Sequence, residues 1–192
     1  MQPMLRLAAA IVFLAAPLAA QNDRAVFARI SAGGADHLAD LAPGATTWFM
    51  PGYSIGAGLG VQVTRHFALR GDFTFTRNPT RGAQIFDGQD INRFFYGVNA
   101  EYRPALHPFG LNPYGFAGVG GVSIDQLGLD AFKPATRFAV SYGAGLSRSL
   151  TTTPLEFFGE LKGMTYRWNM LGYNRNMIDV VFSAGVSYRR PF

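Results

Sequence analysis

The sequence contains no cysteine. Disulfide bonds therefore play no part in the stability of the fold. Charged residues make up only 15% of the 192 residues, and the lysines and arginines among them are scattered along the chain. This scatter excludes the clustered basic patch of a nucleic-acid-binding protein, so no nucleic-acid partner is predicted.

Long apolar runs are also missing. The interior of the chain has no stretch of roughly 18 or more apolar residues, which is the length that a membrane-spanning helix needs. The remaining way to cross a lipid bilayer is a closed barrel of strands, because only helices and closed barrels satisfy all backbone polar groups in lipid. Glycine (23 residues) and aromatic residues (14%) are abundant, as expected when strands alternate small and large side chains.

The N-terminus has the layout of a secretory signal. One cationic residue, Arg6, precedes an apolar run from Leu7 to Ala16, and small residues follow up to Ala20. The apolar run is too short to span a membrane stably. The sequence therefore predicts an exported protein, with a cleaved signal peptide at residues 1–20 and a mature domain at residues 21–192.

The C-terminal stretch, residues 178–192, alternates with a period of two. Its even positions carry mostly aliphatic or aromatic residues, and its odd positions carry mostly small or polar ones. A strand points successive side chains to opposite faces, so one face of this stretch is apolar along almost its whole length. The stretch also exceeds the roughly 9 to 11 residues that a tilted strand needs to cross a bilayer.

The same alternation recurs along the mature chain and predicts eight strands. The connections after the odd-numbered strands are long and polar, and the others are short, as in barrels with long extracellular loops and short periplasmic turns. We therefore predict an all-β fold, an eight-stranded antiparallel up-and-down transmembrane β-barrel. The predicted strands are residues 25–33, 52–63, 67–76, 92–103, 113–123, 137–148, 155–167 and 178–192.

Aromatic residues concentrate near the predicted strand ends, which is typical of the two girdles of a membrane barrel. The predicted girdle on the turn side consists of Phe67, Tyr102, Tyr114, Phe157, Tyr188 and Phe192. The predicted girdle on the loop side consists of Tyr53, Phe75, Phe94, Phe138, Tyr166 and Trp168.

Charged residues lie in the middle of several strands, on the face opposite the apolar one. An eight-stranded barrel is just wide enough to be filled by side chains, so we expect these charges to pair and to plug the lumen. A narrow polar pore is the alternative function, and a soluble lipocalin-like barrel with its apolar face inside is the alternative fold. The predicted lumenal charge network consists of Arg29, Arg70, Asp72, Glu101, Glu156, Glu160 and Lys162.

No set of residues predicts catalysis, a cofactor or a metal site. Residues 52–56 match the G-x-S-x-G pattern, but they lie inside a strand, whereas a nucleophile elbow needs a strand-to-helix turn. His66 and His107 fall in turns and His37 in a loop on the opposite side, so they do not form a joint metal site. A lipid-modifying enzyme remains an alternative, and its candidate residues would be His37, Asp36, Asp40 and Ser31.

The run Pro113-Tyr-Gly-Phe-Ala-Gly-Val-Gly-Gly121 and the ending Tyr188-Arg-Arg-Pro-Phe192 resemble the small outer-membrane β-barrel domains, the group that includes OmpA-like, OmpX-like and opacity-type proteins. The resemblance implies a location in the outer membrane, contact with outer-membrane lipid, and recognition of the last strand by the barrel-insertion machinery. It also implies a structural or surface-interaction role.

The loops contain residues suited to contact an extracellular partner. These residues are Trp48, Phe49, Asn169, Tyr173, Asn174, Arg175 and Asn176.

Overall fold

The computed structural model describes residues 24–38, 48–49, 51–81, 90–126, 135–150, 153–170 and 173–192. The predicted signal peptide, residues 1–20, lies outside the described residues, as does Asp40. Within the part of the chain that the structure describes, no helix is long and apolar enough to cross a membrane.

Eight long antiparallel strands form a closed barrel. Each strand pairs with the next one along the chain, and the last strand pairs with the first, which closes the sheet. A two-residue strand, Trp48–Phe49, pairs with the end of the third. The strands are β1 Ala25–His37, β2 Gly52–Gln62, β3 Phe67–Arg81, β4 Asp90–Tyr102, β5 Asn112–Gln126, β6 Ala135–Ser149, β7 Leu155–Met170 and β8 Tyr173–Pro191.

The apolar face of the strands points away from the barrel axis, as predicted. Phe73, Val98 and Phe182, on three different strands, are 44%, 58% and 65% exposed. Along each strand, the residues that alternate with these outward ones point inward and are mostly buried. This arrangement confirms the predicted fold and excludes the lipocalin-like alternative, in which the apolar face would line the interior.

The predicted strand boundaries are accurate at one end of the barrel, whereas at the other only the start of β2 at Gly52 is accurate. At the end that carries the short turns, called the turn end here, all predicted boundaries agree with the structure to within one residue. At the opposite end, the loop end, β3 continues to Arg81 and not to residue 76, and β8 begins at Tyr173 and not at residue 178.

The extra length at the loop end comes from backbone pairing that continues where the side-chain alternation fades. Asn78 still pairs with Ile91, and Trp168 still pairs with Arg175. Between the apolar part of the outer wall and the loop end, the outer face of a strand no longer has to be apolar. The period-two signal is therefore lost there, while the ladder of backbone hydrogen bonds persists.

Candidate functional site in the barrel lumen

The seven charged residues predicted to line the lumen all lie inside the barrel, and none is more than 8% exposed. They come from four strands, because β1, β3, β4 and β7 each turn alternate residues toward the axis. The structure brings six of them into one connected network of ion pairs, and Arg103 links the seventh, Glu156, to this network.

Arg70 and Glu160 join opposite walls of the barrel. Arg70 lies on β3 and Glu160 on β7, four strands apart in a ring of eight. The guanidinium donates Nη1 to Glu160 Oε2 at 2.9 Å and Nη2 to Oε1 at 3.1 Å. It also donates to Asp72 at 3.0 Å and to Glu101 at 2.9 Å. A bidentate pair of this kind fixes the geometry as well as the charge.

Arg29 extends the network from β1. Its Nη2 donates to Glu160 Oε2 and to the Tyr114 hydroxyl, both at 3.1 Å. Its guanidinium carbon lies 3.7 Å from the centre of the Phe158 ring, and that of Arg70 lies 4.0 Å from the centre of the Phe116 ring. Cation–π contacts therefore fill the space beside the ion pairs.

Two further arginines, which were not predicted from the sequence, belong to the network at the turn end. Arg103 donates to Glu101 and to Glu156, both at 2.7 Å, and Arg189 donates to Glu156 at 3.3 Å. Each has the same parity as the inward residues of its strand, which is the signal that would have found it.

Arg103 lies just beyond β4, outside the spanning strands. Burial by itself lowers the pKa of Arg103, but the carboxylates of Glu101 and Glu156 outweigh this effect and hold its pKa above the ordinary value. The turn end of the network therefore remains cationic at this position.

Little open space remains around the network. Lys162 donates to Asp72 at 3.3 Å and to Thr74 at 3.2 Å. Beside them lies a polar cavity of about 20 Å³, lined also by Ser54 and Ser183. A cavity of this size holds about one water molecule.

The half of the lumen toward the loop end is filled mainly by apolar side chains, in contrast to the charged network of the turn half. An apolar cluster lies there, and a second polar network crosses it. Asp179 accepts a hydrogen bond from Tyr166 at 3.1 Å, pairs with His37, and lies 3.7 Å from Arg93 on the opposite wall. The buried apolar side chains of this half include Ile91, Phe95, Val122, Met164, Met177 and Val181.

For three of the twelve predicted girdle residues, the prediction of an outward position was wrong. Tyr114, Tyr166 and Trp168 are each 3% exposed and point into the lumen. On β7 the predicted strand ended at residue 167, but the structure continues the inward parity of Glu160 through residue 168. On β5 glycines occur at both parities, so the sequence did not indicate which face carries Tyr114.

The other nine predicted girdle residues point outward. Neighbouring rings contact each other near both ends of the barrel, and the ring centres of Phe67 and Tyr102, and of Phe75 and Phe94, are each 5.1 Å apart. Their position at the membrane interfaces remains a proposal. The outward-facing set is Phe67, Tyr102, Phe157, Tyr188, Phe192, Tyr53, Phe75, Phe94 and Phe138.

The residues considered for catalysis are not brought together as the enzyme alternative requires. Ser54 of the G-x-S-x-G pattern is 2% exposed in the strand wall. His37 is the last residue of β1, where a loop was predicted, and its ring pairs with Asp179. His66 and His107 lie in turns at the opposite end of the barrel.

A family model described as "Outer membrane protein beta-barrel domain" matches residues 6–189. The chain belongs to this family. Family membership places the protein in the outer membrane, where the long connections of such barrels are extracellular and the short turns periplasmic. Curated protein sequences gave no match.

Solved outer-membrane barrels have a similar fold. Neisserial surface protein A (NspA) is 19% identical with a TM-score of 0.60, over 88% of this chain and 97% of that one. The N-terminal barrel of Pseudomonas aeruginosa OprF is 18% identical with a TM-score of 0.50, over 88% and 98%. Ail of Yersinia pestis, solved with a heparin analogue, is 11% identical with a TM-score of 0.52, over 88% and 100%. At these identities the similarity concerns the fold alone.

Proposed function

We propose that the protein is a non-conducting outer-membrane barrel with a structural or surface-interaction role and no catalytic activity. The filled lumen is the observation that carries this proposal. The ion pairs between Arg70 and Glu160 cross the full width of the barrel in its turn half. The apolar cluster around Phe95 occupies the loop half. An ion would have to displace both to pass.

Bilayer conductance tests the closed lumen. We expect the wild-type protein to give no conductance above that of a protein-free bilayer. The variant with Glu156→Gln and Glu160→Gln should give the same baseline, because glutamine keeps almost the same volume and the apolar layer remains. Single-channel recording in planar bilayers would measure both, with an open porin establishing the detection limit.

A gated pore would behave differently. Conductance steps in the wild-type protein that change in frequency or size in the double Glu→Gln variant would contradict the proposal. Asp125→Asn, at the loop end of β5 outside the lumenal network, is the matched control for loss of a carboxylate. A gel of unheated and boiled samples would establish that each variant is folded.

The surface-interaction role is supported by the hairpin of β7 and β8. Within this hairpin, pairing continues to Met170 and Tyr173. Pairing with β6 begins only at Tyr166, and pairing with β1 ends at Asp179. Among the described residues, the hairpin from residue 167 to residue 177 thus has no strand paired on either side. Unpaired edges of this kind are suited to contact another molecule.

Binding of heparin to intact cells tests this role, since the related fold of Ail was solved with a heparin analogue. We expect cells that display the barrel to bind labelled heparin more than cells without it. Replacing residues 169–174 by glycine and serine, or shaving the cells with protease, should return binding to the level of cells without the protein. Equal binding before and after both treatments would contradict a role of this hairpin.

Two features implied by the sequence remain proposals. We propose that residues 1–20 are removed during export, and that the insertion machinery recognises the last strand. Phe192, which follows β8, is 68% exposed and is therefore accessible to such a partner.

A further inference from the structure

A shallow pocket of about 280 Å³ lies on the barrel wall at the loop end, where β6, β7 and β8 meet. Phe138, Arg167 and Asn176 point outward from these three strands. Arg167 and Asn176 are direct partners in the register of β7 and β8. The pocket is lined by Arg137, Phe138, Thr165, Tyr166, Arg167 and Asn176.

The pocket sits on the boundary between the apolar and the polar parts of the outer wall. On the side toward the membrane centre, Val140 and Ile178 are 40% and 36% exposed, and Phe182 farther down is 65% exposed. On the opposite side Asn174 is exposed, and Asn176 is exposed in the lining of the pocket itself. A molecule in the pocket would therefore meet an apolar surface below and polar groups above.

Arg167 supplies a positive charge at this boundary. Its Nε donates to the Asn174 side chain at 2.5 Å. Among the described residues, no carboxylate forms an ion pair with it. Arg77, the outward arginine at the same end of β3, is instead paired with Asp90. Of these two outward arginines at the loop end, Arg77 is neutralised, whereas the charge of Arg167 is available to an external anion.

We propose that this pocket binds the phosphate group of an anionic lipid in the outer leaflet. The planar guanidinium of Arg167 matches two phosphate oxygens, and the Asn176 amide is placed to donate to the same group. The acyl chain lies along Val140 and Ile178. A soluble anion would leave this apolar lower edge without a partner, which favours the lipid.

The binding of phosphatidic acid to the folded protein in non-ionic detergent tests the proposal, with native mass spectrometry counting the bound molecules. We expect one tightly retained lipid. Arg167→Gln should weaken its binding about tenfold, as expected for loss of a charge-assisted hydrogen bond. Arg190→Gln, which removes an exposed arginine at the turn end, should leave binding unchanged. Arg167→Lys, which keeps the charge without the planar fork, should bind with intermediate strength.

Each other outcome would overturn the proposal. Equal weakening by Arg167→Gln and Arg190→Gln would indicate general attraction between charges. Equal binding of the matching diacylglycerol would exclude the phosphate contact, and equally tight binding of inorganic phosphate would exclude the lipid as the source. Absence of a retained lipid on the wild-type protein would exclude the site. A gel of unheated and boiled samples would establish that all three variants are folded.

Discussion

Replacing Arg70 by methionine is expected to lower the free energy of unfolding by about 3–5 kcal/mol, the range measured when one partner of a buried ion pair is removed. Arg70 is 1% exposed and forms ion pairs with Asp72, Glu101 and Glu160. Methionine fills much of the space but leaves these carboxylates short of a cation in a site that excludes water. Urea titration of the protein in lipid vesicles would measure the loss.

Arg65→Met is the matched control for this prediction. Arg65 is exposed in the turn between β2 and β3, so its replacement should change the free energy of unfolding by no more than about 0.5 kcal/mol. Combining Arg70→Met with Glu160→Gln should cost less than the sum of the single variants, because the second change removes a charge that the first left unpaired. Equal costs for Arg70→Met and Arg65→Met would show that the network contributes nothing to stability.

Introducing arginine on the outer wall is expected to cause the second-largest loss in the free energy of unfolding. Val98 is 58% exposed and lies on β4 midway between the outward rings of Phe94 and Tyr102. Val98→Arg should destabilise the barrel by about 2–4 kcal/mol, the cost of arginine at the midplane of a bilayer. Folding titrations in lipid vesicles would measure this cost.

The control introduces an arginine at a position in a turn that is exposed to water. Leu106 is 64% exposed in the turn after β4. Leu106→Arg should cost about 0–1 kcal/mol, as expected away from the bilayer centre. If Val98→Arg were tolerated as well as Leu106→Arg, the face of β4 that carries Val98 would not contact lipid, and the girdles proposed at its two ends would lose their basis.

The three alternatives left open by the sequence have different outcomes. The lipocalin-like barrel is excluded by the direction of the apolar face and by membership in the outer-membrane family. The narrow pore depends on whether ions can pass the Arg70–Glu160 pair, and the conductance experiment decides this. The arrangement of His37 argues against a lipid-modifying site, because its buried ring is paired with Asp179 in the lumen and does not lie on the outer wall.

The prediction was least successful where a residue's face depends on how far a strand continues. Tyr166 and Trp168 were assigned to a girdle because the strand was expected to end beside them. Their rings lie inside, because both continue the inward parity of Glu160 along β7, which runs on to Met170. The contact of Tyr166 with Asp179 was also missed, although both residues lay in predicted strands at the parity of the inward face. Above the apolar layer the sequence alternation weakens, and the partner strand alone determines where pairing stops.

The sequence by itself determined the number of strands, the direction of their faces and the ends of the strands at the turn end. These properties are local, because a period of two fixes which side of a strand each residue occupies. Only the tertiary structure decided that Arg70 reaches Glu160 and that Tyr114 reaches Arg29. Those partners lie four strands apart and meet only after the sheet closes, so their pairing depends on the register of every intervening strand.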